Sequence, residues 1–385
     1  MKPEPFEIAI PQARLDDLRD RVARARLPPD FGNDDWRYGT PAAYLRALRD
    51  HWLDAWDWRA HEAAMNAHRH YRVTIDGVPI HFLHEPGSGP DPLPLVLTHG
   101  WPWTFWDYAK TIDPLAHPER HGGDPADAFD VIVPSLPGYA FSTPLEKTGV
   151  HWGTTAGLWV KLATEVLGHE RFAAQGGDWG AIVTGEIGHR FADRLVGLHV
   201  TLPGHPVFLR GLSPDDFGPD EAERWERQRA RRHTIRSHMA VHGNDPQTLS
   251  SALHDSPLGM AAWITERRRA WSDCDGDVER RFSKDDLLTT SALYWLTDSF
   301  ATSVRFYWEN QRMGWKPAHD RTPGIEAPTG VAVLPMDLIQ VPRAHAERVT
   351  NLVHWSVFPS GGHFAPAEEP ERLVEDVRAC FRGLR

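Results

Sequence analysis

Apolar and polar positions follow two different periods along the chain. In ARLDDLRDRVARARL and TPAAYLRALRDHWLDAWDW, apolar residues recur every three or four positions, which predicts helices. Thr40 is the expected N-cap of the second helix, with Pro41 at its first helical position. HYRVTI and VPIHFLHE flank Asp76-Gly77, a pair typical of a tight hairpin turn. The N-terminal quarter therefore predicts helices followed by a β-hairpin.

Short apolar strands then alternate with amphipathic helices. The predicted strands are PLVLTHG, FDVIVPS, ERFAAQGGD, VGLHVTLP, APTGVAVLP and VHWSVFPSGGH. This alternation predicts an α/β fold, a mostly parallel sheet with helices on both faces. It stops between His205 and Arg321, where only helical patterns occur, as expected of a lid inserted into the core. We expect an N-terminal region (1–90), a first core part (91–204), the lid (205–321) and a second core part (322–385).

Composition narrows the class of protein. The chain has 385 residues, 41% hydrophobic and 25% charged, an ordinary globular profile. Its net charge of −11 argues against nucleic acid or an anionic membrane as a partner. The arginine runs 229–232 and 267–269 are interpreted as solvated helix faces. Cys274 and Cys380 have no metal-ligand spacing, and no apolar span is present, so we expect a cytoplasmic protein without metal or cofactor.

The strongest chemical signal is the segment Gln175-Gly176-Gly177-Asp178-Trp179-Gly180 between a predicted strand and a predicted helix. A nucleophile on a sharp strand-to-helix turn needs small residues two positions before and after it. Gly176 and Gly180 meet that need, with Asp178 in the nucleophile's place. A turn with a capping aspartate would give the same pattern. The motif therefore indicates a nucleophile only if other segments of the chain supply the rest of a catalytic site.

Two further segments fit the same architecture. His99-Gly100-Trp101-Pro102 follows a strand, so the backbone amides of Trp101 and Trp179 are candidates for an oxyanion hole. His363 follows the last strand. Its position fits the chain order nucleophile, acid, histidine that α/β hydrolases use. Asp337, just past another strand, is the candidate to orient His363. Three other acids compete for that role: Glu309, Asp298 and Glu326.

An aspartate nucleophile restricts the reaction. Attack on an ester or amide would give an anhydride, whereas attack on an sp³ carbon with a strained or good leaving group gives an alkyl ester. Water activated by His363 can then hydrolyse that ester at its carbonyl. The substrate is therefore expected to be an epoxide or an alkyl halide.

The chain resembles the epoxide hydrolases of the microsomal type, which have the α/β-hydrolase fold, over essentially its whole length. The matching segments are EPFEIAIPQARLDDLRDRV, WRYGTPAAYLRALRDHW, LTHGWP, DAFDVIVPSLPGYAFS, AQGGDWGA, DSPLGMAAWI, DLLTTSALYWLTDSFATSVRFYWEN and GGHFAPAEEPE. The resemblance implies Asp178 as nucleophile, Asp337 as acid and His363 as base. It also implies that Tyr307 is a lid tyrosine that donates a hydrogen bond to the epoxide oxygen.

The chain departs from this family in two places. After HGWP it has Trp103-Thr104 where the family often has Gly-Ser, which predicts an indole near the pocket mouth. The second lid tyrosine of the family falls on His238, so a Tyr–His pair is expected to bind the epoxide oxygen. Tyr294 is interpreted as lid packing. With 17 tryptophans in the chain, Trp103 and Trp179 predict a pocket for a small apolar or aromatic epoxide.

Two other functions use the same residues. A haloalkane or haloacid dehalogenase has the same nucleophile and base, but needs N–H donors for the halide, such as the Trp101 or Trp179 indoles or His238. The second alternative is a binding module that has the α/β-hydrolase fold but no catalytic activity. The sequence leaves the oligomeric state open, a homodimer included.

Overall fold

The computed structural model describes residues 1–385 and contains one nine-stranded sheet in the order β1-β2-β3-β5-β4-β6-β7-β8-β9. The strands are β1 (Glu4–Phe6), β2 (Arg69–Ile75), β3 (Val78–Glu85), β4 (Leu93–Thr98), β5 (Phe129–Pro134), β6 (Phe172–Gly176), β7 (Leu195–Val200), β8 (Ile325–Val333) and β9 (Thr350–Val357). From β5 to β9 every neighbouring pair is parallel, whereas β1, β2 and β3 form an antiparallel edge. The predicted α/β-hydrolase fold is confirmed.

Sixteen helices surround the sheet. They are α1 (Gln12–Ala23), α2 (Ala42–Asp54), α3 (Trp58–Asn66), α4 (Ala109–Ala116), α5 (Trp152–Lys161), α6 (Trp179–Arg190), α7 (Pro206–Leu209), α8 (Pro219–Ile235), α9 (Ser237–Asn244), α10 (Pro246–Asp255), α11 (Pro257–Trp271), α12 (Lys284–Leu296), α13 (Phe300–Arg312), α14 (Arg343–Val349), α15 (Ala365–Glu368) and α16 (Pro370–Arg382). Helices α7 to α13 follow one another without a strand and form the lid. No helix is long and apolar enough to cross a membrane.

The second N-terminal helix begins one residue later than the sequence pattern predicts. Pro41 takes the N-cap position, and the carboxylate of Asp30 accepts the Ala42 N–H at 2.7 Å. The Thr40 hydroxyl instead donates to the Ala262 carbonyl in α11 at 2.8 Å. The expectation that Thr40 caps this helix is therefore wrong, because a residue twelve positions upstream supplies the cap. Thr40 ties the N-terminal region to the lid.

One continuous hydrophobic core joins the regions of the chain. It contains 89 buried residues and includes Leu18 and Leu48 from the N-terminal helices, Val96 and Val200 from the sheet, and Ile264 from the lid. Because the lid shares this core with the sheet, it is packed as part of one body. Its inner surface is held over the carboxyl ends of the parallel strands.

The turn from β6 into α6 brings backbone atoms unusually close together. A Cβ atom on Gly180 would overlap the Thr98 carbonyl oxygen of β4, and one on Gly176 would overlap the backbone of Gly180. Glycine is therefore required at both positions, since no flexible side chain can move out of the way. The sharp turn predicted from the spacing of these two glycines has a direct steric cause.

We predict that Gly180→Ala lowers the free energy of unfolding by several kcal/mol or prevents folding, because backbone must shift to admit the methyl group. The matched control is Gly157→Ala in α5, where a Cβ meets no atom within 4 Å. That change should leave stability equal or raise it by about 0.5–1 kcal/mol, as helix propensity dictates. Urea unfolding followed by circular dichroism measures both. Equal stabilities for the two variants would contradict the steric argument.

Candidate active site

Asp178 stands at the turn between β6 and α6 with φ 50° and ψ −127°. This left-handed conformation is rare for a residue with a side chain. Asp178 Oδ1 accepts the Trp101 backbone N–H at 2.8 Å. The Trp179 N–H lies in the first turn of α6, where backbone N–H groups have no intrahelical acceptor. The carboxylate thus lies beside the two amides expected to form the oxyanion hole.

Adjacent parallel strands bring these two loops together. Thr98 at the end of β4 pairs with Gly176 at the end of β6, so the segments that follow them leave the sheet side by side. Gly100 allows the close approach, because a Cβ there would overlap the Asp178 carboxylate. The short distance between Trp101 and Asp178 is therefore a consequence of sheet order and of one missing side chain.

His363 bridges the two carboxylates. Its Nε2 lies 3.1 Å from Asp178 Oδ2, and its Nδ1 lies 2.7 Å from Asp337 Oδ1. Burial lowers the pKa of His363, but the charges of Asp337 and Asp178 and their hydrogen bonds outweigh it and raise the pKa to about 9. Two of the competing acids are held elsewhere: Asp298 pairs with Arg14 and Glu326 with Arg321.

A cavity of about 420 Å³ opens above Asp178, between the sheet and the lid. Tyr307 of α13 and His238 of α9 both line it, with their rings 5.3 Å apart and nearly perpendicular. The Trp179 ring lines it as well and meets Tyr307 edge to face at 4.8 Å. Two residues from separate lid helices thus face the carboxylate across one apolar space.

Burial acts on both lid side chains and keeps them uncharged. It raises the pKa of Tyr307 well above its usual range, and the nearby Asp178 charge adds to that effect. It lowers the pKa of His238 well below its usual range, with His242 and Arg267 contributing repulsion. A neutral phenol and a neutral imidazole are both hydrogen-bond donors.

The prediction that Trp103 lines the pocket mouth is wrong. Its side chain is fully buried, 5.5 Å from the His363 ring and 5.6 Å from Phe364, and it does not line the cavity. Tyr294 is also fully buried, and its hydroxyl donates to the Trp103 carbonyl at 2.6 Å. Trp103 therefore packs against His363, and Tyr294 anchors the loop that carries Trp103.

A buried ion pair that the sequence analysis missed supports the Trp101 loop. Arg268 of α11 lies 2.6 Å from Asp107, and each side chain is 2% exposed. The same guanidinium donates to the Pro102 carbonyl at 3.0 Å and stacks over the Phe364 ring at 4.3 Å. One lid residue therefore contacts both the loop after β4 and the loop that carries His363. In the sequence it was one of three consecutive arginines interpreted as a solvated face, and that interpretation is wrong for both Arg267 and Arg268, which are buried.

A second missed residue is Glu368, at the end of α15. Its buried carboxylate accepts three backbone N–H groups: Phe364 at 2.9 Å, Gly362 at 3.0 Å and Asp273 at 2.8 Å. Burial raises the pKa of Glu368 to about 7, against the lowering effect of these hydrogen bonds. The carboxylate thus holds both neighbours of His363 in the chain. The sequence signal was its place in GGHFAPAEEPE, five residues after the histidine.

These contacts define an α/β hydrolase with an aspartate at the strand-to-helix turn. Comparison with family models agrees: residues 3–108 match the model described as epoxide hydrolase N terminus, and residues 94–370 match that of the alpha/beta hydrolase fold. The chain is 39% identical over 382 residues to a Stigmatella aurantiaca protein provisionally named an epoxide hydrolase, covering 99% of this chain and 85% of that one. It is 33% identical to epoxide hydrolase 1 of Oryctolagus cuniculus, covering 99% and 88%.

Solved structures give the same result. The Aspergillus niger epoxide hydrolase superimposes with a TM-score of 0.88 at 30% identity, covering 100% of this chain and 97% of that one. The juvenile hormone epoxide hydrolase of Bombyx mori superimposes with a TM-score of 0.86 at 27% identity, covering 100% and 95%. The chain belongs to the epoxide hydrolases of the α/β-hydrolase fold.

We predict that Arg268→Met destabilises the protein by about 3–5 kcal/mol, because it leaves the buried Asp107 charge without its partner. The double variant Arg268→Met/Asp107→Asn should recover most of that loss, since no uncompensated charge remains and the new amide oxygen can still accept the Thr104 N–H. Urea unfolding of the wild type and the three variants gives the coupling free energy. Additive effects of the two single changes would contradict the proposed pairing.

Proposed function

We propose that this enzyme adds water to an epoxide through a covalent ester on Asp178 and releases a vicinal diol. The observation that carries the proposal is the double contact of the Asp178 carboxylate beside an apolar cavity. Oδ1 accepts the Trp101 amide N–H, Oδ2 lies 3.1 Å from His363 Nε2, and Asp178 lines the cavity. The substrate class we assign is an apolar epoxide, since most residues that line the cavity are hydrophobic.

The two oxygens of Asp178 take different parts. Oδ1 already occupies the oxyanion site, so Oδ2 is the oxygen that attacks an epoxide carbon. The C–O bond of the ring breaks as the Oδ2–C bond forms, and the ring oxygen develops negative charge. The Tyr307 hydroxyl donates a hydrogen bond and then its proton to that oxygen, while the His238 N–H gives a second hydrogen bond. The product is a hydroxyalkyl ester of Asp178.

Water completes the reaction from the other side of the carboxylate. Nε2 of His363 takes a proton from water, and the hydroxide attacks Cγ of Asp178. The charge that develops on Oδ1 is held by the amides of Trp101 and Trp179. Collapse breaks the ester bond, and His363 returns its proton to the leaving oxygen of the diol. The carboxylic acid left on Asp178 restores the proton to Tyr307, so atoms and protons balance.

The fate of the oxygen atoms tests the covalent route. In a single turnover in ¹⁸O-water, the first diol should carry unlabelled oxygen taken from Asp178, and label should enter the enzyme. Mass spectrometry of the diol and of the peptide with Asp178 measures both. Styrene oxide is a suitable substrate, with 1-bromohexane as a parallel test for halide release. Full labelling of the first diol means direct attack by water, and halide release without diol formation means a dehalogenase.

We predict that His363→Ala accumulates the ester, because attack on the epoxide requires Asp178 and the lid donors but no base. Hydrolysis of the ester should slow by about 10²–10⁴-fold, the usual contribution of a general base. Intact-mass spectrometry should then find the protein plus one epoxide. His354→Ala, a partly buried histidine that contacts Asp376 far from the cavity, is the control and should not accumulate ester. Folded His363→Ala without an adduct would refute this role.

The two half-reactions should respond differently to pH. In the free enzyme the charges of Asp337 and Asp178 raise the pKa of His363 to about 9. Ester formation removes the Asp178 charge, so the pKa of His363 falls below that value. Since only the neutral imidazole accepts a proton, hydrolysis of the ester should rise with pH through a midpoint below about 9. Single-turnover kinetics measures this, and a midpoint above that value would contradict the argument.

His238 should act as a neutral donor. Because burial lowers its pKa well below the usual range, the rate of ester formation should show no titration of His238 across neutral and mildly alkaline pH. His238→Tyr should remain active with the same flat profile, and His238→Ala should form the ester about tenfold more slowly, as expected for one lost hydrogen bond. Pre-steady-state ester formation measures the three rates. An unchanged rate in His238→Ala would leave Tyr307 as the sole donor.

A further inference from the structure

Helix α8 and the residue that follows it, Arg236, contribute to one wall of the cavity, and three arginines lie on that wall. Arg229, Arg232 and Arg236 line the cavity and are exposed to solvent. Arg229 and Arg232 are three residues apart in α8 and so lie on one helix face, and Arg236 follows the helix directly. Arg229 lies 3.2 Å from Glu226, whereas neither Arg232 nor Arg236 has a carboxylate within 4.0 Å. Two guanidinium groups beside the cavity are therefore without a protein counter-charge.

The remaining cavity wall is different in character. Most of it is hydrophobic, including Leu209, Leu212 and Trp225 near the arginines, and Asp178 is its sole acidic residue. The whole chain carries a net charge of −11, which repels an anion from most directions. A local group of cations is what an anionic molecule would need to approach and enter. The cavity thus combines an apolar interior with a cationic rim.

We propose that the substrate is an epoxide whose apolar body ends in a carboxylate, and that Arg229, Arg232 and Arg236 bind that carboxylate. The inference rests on the proposed epoxide hydrolysis at Asp178 and names its substrate class. Arginine suits the role because its planar guanidinium pairs with both oxygens of a carboxylate. The three arginines cover ~10 Å of the helix wall at ~1.5 Å per residue. The rim therefore accepts a range of distances between epoxide and carboxylate.

The test compares two substrates that differ in one charge: 10,11-epoxyundecanoate and its methyl ester. Exposed ion pairs are individually weak, so we expect kcat/KM to favour the acid by about fivefold at low salt. That preference should fall as salt screens the charges. In Arg232→Gln/Arg236→Gln the ratio of acid to ester should fall toward one. Arg224→Gln, on the same helix but outside the cavity lining, is the control and should keep the wild-type ratio.

A third substrate separates the carboxylate inference from the proposed epoxide hydrolysis on which it rests. Styrene oxide, which has no carboxylate, reports epoxide hydrolysis alone. If no substrate is hydrolysed, the proposed function fails. If styrene oxide is hydrolysed but the acid is not preferred over its ester, the carboxylate inference is wrong. An acid preference that survives in Arg232→Gln/Arg236→Gln also overturns it, because the preference then comes from other groups.

A different observation, the set of contacts around Glu368, carries a second inference. The His363 N–H donates to the Trp271 carbonyl at 2.9 Å, while Glu368 accepts the N–H groups of Gly362 and Phe364. Three consecutive amides around His363 are therefore held by buried acceptors. Glu368 also accepts the N–H of residue 273. The carboxylate thus joins the histidine loop to the lid segment that follows α11.

We infer that Glu368 is a positioning residue for His363 in ester hydrolysis, an inference that also rests on the proposed reaction. A shift of about 1 Å in a catalytic group can slow a step 10²-fold. Nucleophilic attack depends on Asp178, which is fixed by its own turn and by the Trp101 amide. Loss of the Glu368 contacts should therefore slow the step that needs His363 and spare the step that needs Asp178.

The test uses Glu368→Gln, whose amide has one acceptor oxygen and cannot satisfy all three N–H groups. Ester hydrolysis should slow about 10–100-fold, ester formation should change less than about threefold, and the ester should accumulate. Glu368→Asp keeps both oxygens and should recover part of the rate. The control is Glu369→Gln, whose carboxylate pairs with Arg281. Both rates are normalised to the amount of enzyme that forms the ester, so unfolded protein does not contribute to them. Equal slowing of both steps in either Glu368 variant would refute the inference.

Discussion

The left-handed backbone at Asp178 is the constraint on which the site depends. A residue with a side chain in this region costs about 1–3 kcal/mol, and surrounding structure must hold it there. Here that structure is the order of the sheet, in which β4 and β6 are neighbours and leave the sheet together. Gly176 and Gly180 let the turn close, and Gly100 lets the next loop approach. The strained conformation places a carboxylate next to the Trp101 amide, which stabilises the developing charge in the proposed reaction.

The lid covers the cavity and also contacts the two loops beside Asp178. Trp271 at the end of α11 accepts the His363 N–H, and Arg268 on the same helix donates to the Pro102 carbonyl. The charges of Arg268 and Asp107 are buried together, which is tolerable because each satisfies the other. A single lid helix therefore contacts both loops that flank Asp178. Movements of that helix would be transmitted to the Trp101 loop and to His363 together.

Local sequence patterns predicted the helices and strands. They also indicated Asp178, Asp337 and His363 as candidate site residues, because each follows a strand and the three stand in the chain order nucleophile, acid, histidine. They did not predict contacts between segments remote in sequence. The cap of α2 comes from Asp30, and Trp103 lies behind His363 because a distant loop packs on it. Arg229 and Arg232 of α8 are solvent-exposed as expected, whereas Arg231 is partly buried and donates to the backbone carbonyls of residues 270 and 336. Nothing in the spacing of this run indicates that segments near residues 209 and 339 complete a cavity beside it.

Whether a buried side chain of the site is charged depends more on its neighbouring charged groups than on its residue type. Tyr307, His238 and His363 are all buried, and burial favours the neutral form of each. Tyr307 and His238 lack an ion pair, so both stay neutral and can donate hydrogen bonds without a full charge in the cavity. His363 contacts two carboxylates, which reverse the effect of burial. One of those carboxylates belongs to Asp178, the proposed nucleophile. In the proposed reaction, ester formation removes the Asp178 charge, which leaves Asp337 alone to stabilise the imidazolium and lowers the pKa of His363. The ester bond that must be hydrolysed would thus favour the neutral His363 that can act as the base.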